Sequence, residues 1–101
     1  PLHIAAKRGH QVCVHTLIAG GARVDKADAA GCTPLMQAAR AGHQSTVGML
    51  LRQGAEPNWR NLQDETSLHL AAAHGHTECL DELVNAGAEL NTKDAAGQTP
   101  L

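Results

Sequence analysis

The sequence predicts an all-α solenoid of stacked helix-turn-helix units with short β-hairpin tips. Three observations carry that prediction. The first is a repeat: Asp28-Ala-Ala-Gly-Cys-Thr-Pro-Leu35 returns 66 residues later as Asp94-Ala-Ala-Gly-Gln-Thr-Pro-Leu101. Asn61-Leu-Gln-Asp-Glu-Thr-Ser-Leu68 lies midway and keeps Thr66 and Leu68 in register, so the period is 33 residues. A fixed period of this length is the signature of a stacked array. The second is punctuation, since Gly9, Gly42 and Gly75 recur on that period, as do Gly21, Gly54 and Gly87. The third is composition: Trp59 is the sole aromatic residue, and Ala, Leu and Val carry the apolar fraction. Small side chains of this kind suit thin stacked layers, with helix axes about 8–10 Å apart.

Each unit opens on a polar turn. Gly31 and Gly97 supply positive φ at the tip, and Asp64 stands in that place in the middle copy, tolerable because Asp visits the left-handed region more readily than most residues. Thr33 and Thr66 then sit at a helix N-cap, with Pro34 or Ser67 at the first helical position. A short helix follows, carrying Leu2, Ile4, Ala5 and Ala6 in the first unit and Leu35, Ala38 and Ala39 in the second. In the third it carries Leu68, Leu70, Ala71 and Ala72. The Gly that follows each is a left-handed C-cap.

A second helix opens at His10, His43 or His76. Its inward stripe is Cys13, Val14, Leu17 and Ile18, then Thr46, Val47, Leu50 and Leu51, then Cys79, Leu80, Leu83 and Val84. That spacing is one apolar stripe on a helix. Gly48 inside the middle copy costs roughly 1 kcal/mol relative to Ala. Neither helix is long enough to be stable alone in water, so the units must stack.

Thr-Pro-Leu, Ala-Ala, Gly-His and Gly-Ala, in this order on a 33-residue period, resemble ankyrin repeats across essentially the whole chain. The units then divide as a partial repeat over 1–27, repeats over 28–60 and 61–93, and the start of another over 94–101. The chain reads as an excerpt, with flanking repeats of the same chain as its immediate neighbours. Met36 and Ser67 depart from the family pattern, where His and Pro are usual. The resemblance implies a module that binds a protein or peptide through its tips, first helices and concave groove.

Other chemistry finds little support. Net charge is −2 with no run of Lys or Arg, so capture of nucleic acid is not expected. No apolar run is long enough for membrane insertion. Three Cys without a disulfide-scaffold spacing favour a reducing compartment, cytoplasm or nucleus. Cys13 and Cys79 stand two units apart, about 20 Å by the stacking estimate, too far for a disulfide. Both are expected to be buried, whereas Cys32, between tip and helix, is expected to face partners. His3 and His69 belong to the repeat's Leu-His place, and His10, His43 and His76 to its Gly-His place. Successive rows about 10 Å apart cannot converge on one zinc ion. His74 with His76 forms a His-x-His, the one arrangement that invites a surface metal or a pH-sensitive contact. No cofactor is expected. No strained nucleophile, phosphate loop or paired carboxylate argues for an enzyme, and Asp81 and Glu82 read as a solvated face.

The candidate binding residues are those that break the repeat. On the first helices they are Lys7, Arg8, Arg40 and His74; on the tips they are Cys32, Trp59, Arg60, Leu62, Gln63, Glu65, Lys93 and Gln98. Trp59 stands where the sibling units carry Lys26 and Thr92, so packing does not demand it. Trp and Arg are the residues most enriched at binding hot spots. The opposing reading is that Trp59 folds onto the adjacent tip. The basic bias of this face makes an acidic or C-terminal-carboxylate peptide the expected ligand class. Two other functions stay open: an intramolecular regulatory or spacer segment of a larger enzyme or channel, and nucleic-acid binding, which nothing in the charge balance favours.

Overall fold

The structure is a computed structural model, and it describes residues 2–87. Expectations about Lys93, Gln98 and the tip opening at Asp94 lie outside the described residues. Six helices follow in order: α1 (Leu2–Lys7), α2 (Gln11–Ala19), α3 (Pro34–Ala41), α4 (Gln44–Arg52), α5 (Ser67–Ala73) and α6 (Thr77–Asn85). They form two layers. The first helices pack in the row α1–α3–α5, the second helices in the row α2–α4–α6, and each first helix also packs on the helix that follows it. The core runs between the rows from Leu2 to Leu83.

Caps explain why these short helices hold. Thr33 Oγ1 accepts from the Met36 N–H at the start of α3. At α5 the cap is reciprocal: Thr66 Oγ1 accepts from His69 N–H, and His69 Nδ1 accepts from Thr66 N–H at 3.2 Å. Met36 has no ring to return the second bond, and its side chain is buried instead. Gly42 ends α3 in the left-handed conformation with φ of 80°.

The second helices lack any side-chain N-cap bond. Their His residues serve the neighbouring unit. His43 Nε2 lies 2.9 Å from the Lys7 carbonyl oxygen, and His76 Nε2 lies 2.9 Å from that of Arg40. Each ring therefore donates to a carbonyl at the end of the preceding unit's first helix, one of the orphan acceptors that every helix C-terminus leaves. The rings pass so close to Gly9 and Gly42 that a Cβ there would sit 2.6 Å from a ring atom.

The single stripe expected on the second helices is in fact two. Cys13 is exposed while its equivalents Thr46 and Cys79 are buried; likewise Leu17 is half-buried while Leu50 and Leu83 are buried. The opposite trend holds one residue on: Val14 and Val47 are buried and Leu80 only half, and Val84 is exposed where Ile18 and Leu51 are half-covered. Positions 13 and 17 thus face the preceding unit, and positions 14 and 18 the following one. Burial of Cys13 is corrected by this reading, because among the described residues nothing packs on that side of α2. Burial and the charges of Glu78 and Glu82 push the Cys79 thiol up, keeping it protonated. Thr46, alone of the three in carrying a hydroxyl, buries Oγ1 without a hydrogen-bond partner.

Candidate functional site: the concave groove

The tips are built by one side chain each. Asp28 Oδ1 accepts from Ala30 N–H and Cys32 N–H, both at 2.9 Å, and Oδ2 accepts from the Gln37 amide at 3.0 Å. Asn61 Oδ1 does the same for Gln63 and Glu65, again at 2.9 Å. The backbone closes the turn, with Asp28 N–H donating to Cys32 O and Asn61 N–H to Glu65 O. Among the described residues no strand forms, so the tips are hydrogen-bonded turns rather than paired β-strands. Gly31 (φ 78°) and Asp64 (φ 63°) take the left-handed places expected of them. Leu62 N–H donates to Ala30 O, joining the two tips, and a Cβ on Gly31 would sit 2.8 Å from that nitrogen.

Burial alone pushes the Asp28 carboxyl up. The bonds from Cys32, Gln37 and Ala30, with the charge of His3, outweigh it and hold the group below the usual range. The repeated Asp or Asn at the head of each tip was the signal for this role, and reading the tips for glycine alone passes over it. His3 also binds across units, with Nε2 3.1 Å from Cys32 O.

Between these two tips and α3 lies a cavity of about 230 Å³. Five of the sequence candidates line it: Cys32, Arg40, Leu62, Gln63 and Glu65. Gln37, Asn61 and Ala30 complete the wall and were not singled out from the sequence. Leu62 is 79% exposed, a large apolar side chain offered to solvent at the rim. Cys32 corrects its expectation. It is only 4% exposed, packed with Met36 and Leu70, and its Sγ lies 3.6 Å from Asn61 Nδ2. The neighbouring tip covers it, because the Asn61 side chain that shapes one turn reaches the thiol of the other. Glu65 Oε1 accepts from that same Asn61 amide at 3.1 Å, so its charge is partly engaged.

Lys7, Arg8 and Arg40 are exposed at the C-terminal ends of α1 and α3. No Asp or Glu occurs in α1, α3 or α5, whereas α6 carries Glu78, Asp81 and Glu82. The first helices therefore carry cations without acids, whereas the acids sit on α6 alone and the second row also carries Arg52 on α4.

Trp59 and Arg60 do not line the cavity. Trp59 is 41% exposed, so the fold covers part of the indole and leaves part in solvent. Arg60 is turned onto its own tip, with Nη1 donating to Asp64 O at 2.9 Å and lying 3.5 Å from Asp64 Oδ1. His74 Nδ1 lies 2.9 Å from Leu70 O, and its ring stacks on His76 with centroids 6.0 Å apart and planes 9° apart. Each of these stacked rings also uses one nitrogen on a carbonyl oxygen, His74 on Leu70 and His76 on Arg40. Among the described residues no group of three or more His, Cys, Asp or Glu could hold a metal.

Family models place the repeat directly. Ankyrin repeats (3 copies) match residues 1–61, and ankyrin repeats (many copies) match residues 49–101. The chain belongs to the ankyrin-repeat family. The resemblance carried by Thr-Pro-Leu and Gly-His is thereby established, along with the all-α solenoid it implied. A comparison with curated proteins finds no match. Ankyrin repeats generally serve protein–protein interaction and are typically non-catalytic. Among the described residues no helix is long and apolar enough to cross a membrane.

Proposed function

We propose that this ankyrin segment is a non-catalytic binding module that takes an acidic protein segment or peptide in its concave groove. The repeats divide at Asp28, Asn61 and Asp94, and the ligand lies across the tips and first helices rather than on α2, α4 and α6. The observation that supports this reading is the cavity between the tips, walled by Arg40 on one side and roofed by exposed Leu62. A guanidinium can take a carboxylate in a two-pronged bond, and the adjoining leucine offers apolar area that the fold itself leaves uncovered. Lys7 and Arg8 extend the positive potential along the row, and Gln63 offers an amide to a peptide backbone. Trp59 is the outer anchor of the same edge, with Arg60 fixing the tip beneath it through Asp64. Lys93 and Gln98 would continue the surface.

Selection of peptides from a random library against the folded chain tests the reading. Enriched sequences should be rich in Asp and Glu, and Arg40→Glu or Leu62→Ala should weaken their binding at least tenfold. Binders without acidic bias, or indifferent to both variants, would count against it.

A further inference from the structure

We infer that the groove reads carboxylates three residues apart in a peptide held as a polyproline II helix, with an apolar residue following the second carboxylate. The inference rests on the proposed acidic ligand and adds its register and conformation. Lys7 and Arg40 occupy the same place in adjacent units, each in the last turn of its first helix. They are separated by one stacking step, about 10 Å. Both are exposed, and no acidic side chain among the described residues pairs with either.

Three conformations can carry two carboxylates on that pitch, and the geometry separates them. A β-strand reaches about 10 Å in three residues, but places those side chains on opposite faces. An α-helix reaches it only at a spacing of seven, and its body, about 10–12 Å across, is too broad to drop a side chain between two tips joined by the Leu62–Ala30 hydrogen bond. Polyproline II advances about 9 Å in one turn of three residues, so residues i and i+3 share a face and match the step. Its backbone carbonyls and N–H groups stay free, open to the Gln63 amide at the edge.

The cavity lies on the far side of Arg40 from Lys7, against the tip that carries Leu62. A chain that sets its first carboxylate on Lys7 and its second on Arg40 next arrives there. About 230 Å³ accommodates one aliphatic side chain on Leu62, above the buried Cys32. The ligand is thus acidic-x-x-acidic followed by an apolar residue.

The test is nuclear magnetic resonance titration of the isotopically labelled 101-residue chain with four synthetic peptides, three of them proline-rich. Two carry Asp at i and i+3, followed by Leu or by Ser; one carries Asp at i and i+2 with Leu; one is an alanine-based helix with Asp at i and i+7. The i, i+3 peptide with Leu should bind at least fivefold tighter than each of the others, shifting the amides of Arg40, Asn61 and Leu62. Its advantage over the i, i+2 peptide should vanish in Lys7→Ala. Equal binding of all four at these amides overturns the register while leaving the acidic-ligand reading standing, and tighter binding of the helix overturns the conformation. Shifts confined to α2, α4 and α6, or none with any peptide, overturn both.

Discussion

The three cysteines show how far equivalent places can differ at the scale of a residue. Cys79 is sealed and its thiol held protonated by burial beside Glu78 and Glu82, Cys32 is closed under the neighbouring tip, and Cys13 is open. Since the thiolate is the nucleophile, a thiol-alkylating reagent should add one group to the native chain quickly and two more only on unfolding. Mass spectrometry of the intact protein with peptide mapping checks this; labelling of Cys32 as fast as Cys13 would contradict its burial. Asp28 supports a second expectation. Its folded pKa is depressed, so its contribution is complete above the unfolded value, about 3.9, and is lost as pH falls through the lower folded value. Asp28→Asn keeps the acceptor that Asn61 uses for the same turn, but does not titrate. The stability advantage of the native chain over this variant should therefore shrink as pH falls from about 5 to 2, measured by denaturant unfolding. A difference that is flat across that range would show the carboxylate bonds to be absent.

Among the elements, much was legible in the sequence and some was not. Thr33 and Thr66 as N-caps, Gly42 as a left-handed C-cap and the start of each second helix follow from local rules that act within a few residues. What the pattern of one unit cannot express is which neighbour covers which side chain. The spacing of Cys13, Val14, Leu17 and Ile18 marks an apolar arc, yet only the stack splits it into a face toward each neighbour. Cys32 was misjudged for the same reason, because its cover comes from Asn61 in the next unit. Of the five repeat histidines, His3, His43, His69 and His76 have structural roles, but for three of these four the partner lies in an adjoining unit, far away in sequence. Of the candidate site, the cation row and Leu62 were visible as breaks in the repeat. The tip-forming roles of Asp28 and Asn61 were not, since they conform to it.

The His43 and His76 bonds can be weighed through glycine. Gly75 has φ of 70° and, among the described residues, nothing within 4 Å of an added Cβ, so Gly75→Ala costs only the left-handed strain, about 1–2 kcal/mol. Gly42→Ala carries the same strain and in addition drives a methyl into the His76 ring, breaking its bond to Arg40 O. Its loss should exceed that of Gly75→Ala by about 1 kcal/mol or more. Urea unfolding of both variants reads this directly. Equal losses would mean the ring does not fasten one unit to the next.

For the molecule as a whole, the proposed function assigns stability and binding to different residues. Leu50, fully buried and covered by the preceding unit, belongs to the stack. Leu62 and Arg40 are exposed on the concave edge, Trp59 is partly so, and the helices do not need them. Leu50→Ala should cost roughly 2–5 kcal/mol of folding free energy, a large share of what a small domain has. The outer anchor and the groove should behave inversely. Trp59→Ala should weaken the ligand by about 2 kcal/mol or more, with a far smaller change in melting, because sibling loops with Lys26 serve the same turn. The most direct test measures melting temperature and ligand affinity together for Leu50→Ala, Trp59→Ala, Leu62→Ala and Arg40→Glu, with a selected acidic peptide as ligand. Leu50→Ala should melt earliest while its folded fraction binds normally, and the other three should bind weakly while melting near the native temperature. If the groove variants lose stability in proportion to affinity, or bind as the native chain does, then the concave edge is packing and not a site.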